Sequence, residues 1–313
     1  MSLSWGQRCK FTAVIWAIGT AAVAAEPIVD GNATIRGVAG HSEIVIRTSS
    51  RFAGAIDSLT WNGREFIDRA DHGRQLQSAS NLDLGMPLTN ETFNPTEAGS
   101  RRDGAGASSS SRLLHLVARG PSLQTTNQMA FWLAPTETSG GVAAKNTRVL
   151  SDHLLTKRVQ IGNGRMANVI KYDVTFSLPV GEFHQHAVFE AVTGYLPAEF
   201  ELFWKFNATT RTLEKLDDGP GEQSQPIVFS TKSGEHAMGI FSPDQPAQGY
   251  EQVGYGRFRF TDEKVVKWNC VFRKDAREGL GARDFSFRNF VIVGNRAQVE
   301  QSLMELINEF ASR

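Results

Sequence analysis

Ile170-Lys-Tyr-Asp-Val-Thr-Phe-Ser-Leu178, then Pro179-Val-Gly181, then His184-Gln-His-Ala-Val-Phe-Glu190-Ala-Val192 is the stretch that decides the fold class. Ile170, Tyr172, Val174, Phe176 and Leu178 alternate with Lys171, Asp173, Thr175 and Ser177, the period-two pattern of a strand with one buried face. Pro179 and Gly181 punctuate, and a second apolar run follows. On a straight strand His184, His186, Val188, Glu190 and Val192 share one face, and Gln185, Ala187, Phe189 and Ala191 the other.

The same β pattern extends outward in both directions. Leu59-Thr-Trp61 and Arg64-Glu-Phe-Ile67 flank Asn62-Gly63, a dipeptide that tolerates the positive φ angles of a tight hairpin turn. Asn163-Gly164, between Ile161 and Met166, predicts a second hairpin. Further strands are expected at Phe200–Asn207, Ile227–Ser230, Arg257–Phe260, Val265–Arg273 and Asp284–Val293. Only the end reads as helix: Val299, Leu303, Leu306, Ile307 and Phe310 recur at helical spacing, with Asn295 as N-cap. Two loop-like stretches, 86–112 and 216–226, interrupt the pattern, and Ser108–Ser111 favours mobility. The expectation is an all-β fold, an antiparallel β-sandwich or supersandwich with a C-terminal helix.

Residues 1–25 read as a secretory signal, with Arg8 and Lys10 ahead of an apolar run that closes on small residues at Ala24 and Ala25. The sequence carries 33 basic and 33 acidic residues. Loss of Arg8 and Lys10 leaves 31 against 33, a balance without the basic footprint that nucleic acid or an anionic membrane requires. Of the two cysteines, Cys9 lies in the leader, so Cys270 has no intrachain partner afterwards. The expected location is periplasmic or secreted, with no stable membrane span after cleavage.

Arg51-Phe-Ala-Gly-Ala-Ile-Asp-Ser-Leu-Thr-Trp-Asn-Gly-Arg-Glu-Phe-Ile-Asp68 resembles the opening of galactose-mutarotase-like proteins: a glycine-containing strand, a short turn, then a Trp-x-Gly-x-Glu-Phe hairpin. The resemblance covers about twenty residues. It implies that 26–313 form a single β-supersandwich domain, two large antiparallel sheets whose concave face binds a saccharide. The superfamily spans epimerases, lyases and hydrolases, so the fold does not choose the reaction. The histidine–aromatic neighbourhood typical of the mutarotases (Asn-His-x-Tyr-Phe-Asn-Leu) is missing, which points away from aldose 1-epimerase activity.

The candidate catalytic residues are His184, His186 and Glu190. Same-face neighbours on a strand lie ~7 Å apart and Glu190 ~13 Å from His186, so a bulge or partner strand is needed to unite them. Imidazole and carboxylate together suit acid–base work on a sugar, by hydrolysis or β-elimination. The spacing His-x-His-x-x-x-Glu also matches the first metal motif of cupins, whose second motif is missing; a divalent metal is thus the alternative to having no cofactor. A hydrogen-bonded set inside the strand is the third reading. Candidate substrate-binding residues are His72 and Arg74 in Asp71-His-Gly-Arg-Gln75, Glu97 in Asn94-Pro-Thr-Glu-Ala-Gly99, and Tyr195 after Gly194. Lys267, Asn269 and Arg273 face either a groove or solvent. The expected partner is a carbohydrate, bound for turnover or bound without it, as an envelope protein would.

Overall fold

The alternating run at 170–178 lies in the strand Met166–Ser177, paired on one side with Leu150–Asn163 and on the other with Asp284–Gly294, both antiparallel. The computed structural model describes residues 1, 29–85, 87–246, 251 and 253–311. The expected leader and its cleavage positions therefore fall, apart from Met1, outside the described residues.

One hydrogen-bonded path of antiparallel strands builds both layers of a sandwich. The first layer runs from Thr212–Lys215 through Leu202–Asn207, Ile227–Ser230, Ala237–Phe241, Asp284–Gly294, Met166–Ser177 and Leu150–Asn163 to Ser122–Phe131. The two-residue strand Pro95–Thr96 then bridges Ser122–Phe131 to Gln77–Leu82. Beyond it come His184–Pro197, Val265–Leu280, Tyr255–Phe260 and Gly221–Gln223. The layers meet through aromatic rings, with Phe176 on Phe189 at 5.0 Å and Phe272 on Phe287 at 4.2 Å between centroids. A separate four-stranded sheet, Ala33–Ala39 to Arg64–Glu65, holds the opening hairpin. The all-β antiparallel sandwich expected from the alternation is the observed architecture.

Asn62 (φ 48°) and Gly63 (φ 72°) occupy the predicted left-handed turn. The second hairpin differs by one residue. Asn163 pairs with Met166, Gly164 (φ 59°) leads the turn, and the extra residue is absorbed as a bulge between Ile161 and Asn163. The helix α1 (Arg296–Ala311) follows a reciprocal cap in which Gln298 N donates to Asn295 Oδ1 and Asn295 N to Gln298 Oε1, each at 2.9 Å. Val299, Leu303 and Leu306 pack it onto Phe206, Phe241 and Phe290 of the first layer. Among the described residues no helix is long and apolar enough to cross a membrane. Cys270 is buried and free.

Within the stretch 86–112, the serine run expected to favour mobility is instead hydrogen-bonded into the fold at Ser109, Ser110 and Ser111. Residues 92–100 are buried, and Arg101–Asp103 forms a 3-10 turn capped by Ser100. Ser110 donates to Asp103 Oδ1 (2.6 Å), Ser109 to the Ala98 carbonyl (2.9 Å) and Ser111 to the Thr96 carbonyl (3.0 Å). A run of serines reads as flexible because the carbonyls it will satisfy lie elsewhere in the chain.

Close approach fixes one position in the second layer. A Cβ on Gly194 would stand 2.5 Å from the Trp268 indole, which is fully buried beneath it. Gly194→Ala is expected to cost about 1–3 kcal/mol through overpacking, read as a lowered urea midpoint at unchanged slope.

Candidate functional site

Two departures from regular pairing decide which side chains of His184–Pro197 point where. Against Val265–Leu280, Glu190 pairs with Val271 but Val192 with Cys270, so Ala191 is an extra residue, a bulge. The bulge shifts the parity of the strand. Glu190, Thr193 and Tyr195 come to one face although Tyr195 stands five positions, an odd step, beyond Glu190. At the other end, Asp83 Oδ1 accepts from the successive amides of Gln185 (2.9 Å) and His186 (2.8 Å). Successive amides of an extended strand point to opposite sides, so this kink breaks the alternation and turns His184 into the core.

The outcome is an open cleft of about 670 Å³ on the second layer. Its floor carries Gln77 and Asn81 from Gln77–Leu82, Glu190, Thr193 and Tyr195 from the bulged strand, and Lys267, Asn269 and Arg273 from Val265–Leu280. Asn94, Trp132, Glu222 and Glu251 add to the walls. Lys267 Nζ donates to Glu190 Oε2 at 3.0 Å and lies 5.3 Å from the centre of the Tyr195 ring. Burial works to lower the Lys267 pKa, but Glu190 and then Tyr195 outweigh it and leave the ammonium above the ordinary lysine range. Burial pushes the Tyr195 phenol up, although Lys267 pulls the other way. The cleft thus presents a carboxylate, an ammonium and a protonated phenol side by side. Arg273 grips Glu222 with two bonds of 2.8 Å and reaches Glu251 at 3.1 Å.

The expected centre of His184, His186 and Glu190 is not assembled. Only Glu190 lines the cleft. His186 faces Asp275, with Nδ1 at 3.3 Å from its carboxylate. His184 is buried, its Nε2 at 3.1 Å from Glu182 Oε2 and its Nδ1 at 2.5 Å from the Asp83 carbonyl oxygen. His153 Nε2 meets the same Glu182 oxygen at 2.8 Å. Burial works to raise the Glu182 pKa, but the hydrogen bonds from His153 and His184 bring the carboxyl down to about 2. On His184 burial acts downward, and Glu182 together with Asp83 more than reverses it, so that imidazole is raised.

The loop residues divide similarly. Tyr195 belongs to the cleft, and Gly73 lines it while its neighbours His72 and Arg74 do not. His72 is buried, with its ring nitrogens 2.8 Å and 2.9 Å from the carbonyls of Gly104 and Arg51, and so anchors loops. Arg74 is engaged by Asp71 at 2.9 Å. Glu97 lies beneath the floor, wholly buried, paired with the equally buried Lys157 and accepting from the Ser78 amide at 3.1 Å. A loop glutamate reads as a ligand group until its partner on another strand is known. Lys267, Asn269 and Arg273, expected to face either a groove or solvent, are cleft residues, as is Trp132; Trp268 is core.

No family model and no curated protein matches the chain. Solved structures similar to it include the α-galactosidase of Lactobacillus brevis, at 11% identity and a TM-score of 0.46, covering 90% of this chain. This chain spans only 42% of that protein's length. A Klebsiella pneumoniae protein described as a "putative aldose 1-epimerase" is similar over 90% of this chain and 92% of its own, at 10% identity and a TM-score of 0.44. The heparan sulfate lyase HepC of Pedobacter heparinus, in a mutant form, is similar over 85% of this chain and 35% of its own, at 10% identity and a TM-score of 0.40. The chemistry of the cleft rests on its own side chains.

Removing one member of the buried pair under the floor is expected to be severe. Glu97→Gln leaves the Lys157 ammonium without its counter-charge and should cost about 3–5 kcal/mol, whereas Glu97→Gln with Lys157→Met should recover much of the loss. Urea unfolding of the two variants checks this.

Proposed function

We propose that the cleft binds a carbohydrate and that the protein, exported through its leader-like amino terminus to the periplasm or beyond, acts on it by hydrolysis. The observation that carries this reading is the bulge-driven gathering of Glu190, Tyr195 and Lys267 in one open cleft beside Trp132. An aromatic face offers a sugar ring an apolar platform, while carboxylate, phenol, ammonium and amide groups match its hydroxyls.

Charge selects among glycans. Four carboxylates line the cleft (Glu91, Glu190, Glu222 and Glu251) against two cations, Lys267 and Arg273, and each cation is already bound to a carboxylate. β-Elimination from a uronate needs a cation to neutralise the sugar's own carboxylate, so this lining favours a neutral or basic saccharide and hydrolysis over elimination. In the proposed reaction Glu190 accepts the proton of the attacking water and Tyr195, which keeps its proton at neutral pH, donates toward the leaving oxygen. The histidines contribute no step. A second reading, binding without turnover, draws on the Glu190–Lys267 pair, which occupies the carboxylate.

Incubation with neutral oligosaccharides and mass spectrometry of the products separates these readings: addition of water marks hydrolysis and an unsaturated product marks a lyase. Glu190→Gln is expected to lower turnover by about 100-fold or more with binding changed only several-fold. Full turnover in that variant removes Glu190 from the chemistry. Saturable binding without product, abolished by Trp132→Ala, identifies a glycan-binding protein.

A further inference from the structure

At the kinked end of the bulged strand, outside the cleft lining, three groups converge that the proposed reaction does not use. His153 comes from Leu150–Asn163 in the first layer, His184 from the start of His184–Pro197 in the second, and Glu182 from the turn before it. Both imidazoles aim Nε2 at the same oxygen, Glu182 Oε2, at 2.8 Å and 3.1 Å, and the three potential ligand atoms lie within 4.8 Å of one another. We propose that His153, Glu182 and His184 form a binding site for a divalent metal ion of the zinc class.

The hydrogen bonding of His184 supplies an independent argument. Its Nδ1 lies 2.5 Å from the Asp83 carbonyl oxygen, which only accepts, so Nδ1 carries a proton. In the neutral ring Nε2 is then a lone pair, and it faces a carboxylate oxygen. Two acceptors held at 3.1 Å repel unless a cation, a proton or a metal, stands between them. The bond from Nδ1 to a backbone carbonyl is also the outer-shell contact that orients metal-binding imidazoles and raises their basicity. Zn–N bonds of about 2.0–2.1 Å place tetrahedral ligand atoms about 3.3 Å apart, so the two imidazole–carboxylate spacings need to open by only a few tenths of an ångström, and the imidazole–imidazole spacing, within 4.8 Å, has to settle at the same value.

The surroundings favour the same occupant. The imidazole side chains are 3% and 0% exposed, whereas Glu182, at 22%, leaves an opening to solvent for a fourth ligand, a water. Phe93 lies within 6.0 Å of both imidazole rings and Phe131 at 6.2 Å from that of His153, forming a dry wall. Two imidazoles with one carboxylate suit zinc and its transition-metal neighbours, and suit magnesium or calcium poorly. Since His153 and His184 belong to opposite layers, the ion would clasp the sandwich in a chain whose buried Cys270 is free. Binding displaces the proton shared between His184 and Glu182.

The test is to strip the purified full chain with chelator, titrate it with Zn2+ and separately with Mg2+, and follow metal content, melting temperature and the visible spectrum of the Co2+ form. Expected are one Zn2+ per chain, a rise in melting temperature with Zn2+ but not Mg2+, and the intense visible band of tetrahedral cobalt. His153→Gln should weaken Zn2+ binding by at least the ~100-fold that loss of an outer-shell partner can cost. Glu182→Gln, altering a partly exposed side chain at constant shape, should do the same should His153→Gln fail to fold. Retention of less than about a tenth of an equivalent, with no cobalt band and no change in melting, would leave a plain ion pair and overturn the site. Unchanged Zn2+ affinity in a folded variant would place the metal elsewhere and overturn it equally.

Discussion

The cleft depends on a charge pair that solvent never reaches. Lys157 and Glu97 are both fully buried, which is tolerable only when each is matched and the remaining hydrogen-bonding capacity is satisfied. Lys157 also lies 5.6 Å from the centre of the Tyr172 ring, and the second oxygen of Glu97 takes the Ser78 amide. Ser78 carries the network upward, because its hydroxyl donates at 2.7 Å to the carbonyl of Ala191, the extra residue of the bulge. A bulge strands a backbone group that must find a partner, and here the partner stands on the buried ion pair. Glu190 and Tyr195 share a face because that carbonyl is held.

Rigidity continues across the cleft lining. Gln77 donates to the Gly73 carbonyl and accepts from the Ala98 amide, Asn81 accepts from the Glu91 amide, and Asn269 from Gly256. These amides are set by the backbone before any ligand arrives, which lowers the ordering cost of binding. The ionic groups are set in the same way, with Lys267 held by Glu190 and Arg273 by Glu222 and Glu251. Such a surface reads hydroxyl positions well and offers an incoming carboxylate little.

Much of this was legible in the sequence where only local rules apply. The alternation at 170–178, the turn at Asn62-Gly63 and the capped helix from Asn295 depend on neighbours a few residues away, and all are present in the structure. The site was less legible because strand parity is a long-range property. One extra residue at Ala191 and one kink imposed by Asp83 moved Tyr195 into the cleft and His184 out of its reach, and neither partner strand announces this locally. One signal was available. In Leu150–Asn163 the inward positions run Ser151, His153, Leu155, Lys157, Val159, Ile161, and a lysine and a histidine on so apolar a face demand buried counter-groups.

Those counter-groups suggest why the inward face of one strand carries polar residues at all. His153 meets Glu182 and Lys157 meets Glu97, so two ties join this strand to segments that lead into the opposite layer. Between the layers the aromatic contacts, such as Phe176 on Phe189, bury area without demanding one register. Sliding the strand by two residues would keep its apolar parity, yet it would carry Lys157 away from Glu97 and leave both charges in the core. The phenylalanines hold the layers together and the charged pairs hold them in position, and on that position rests the bulge that aims Glu190 and Tyr195.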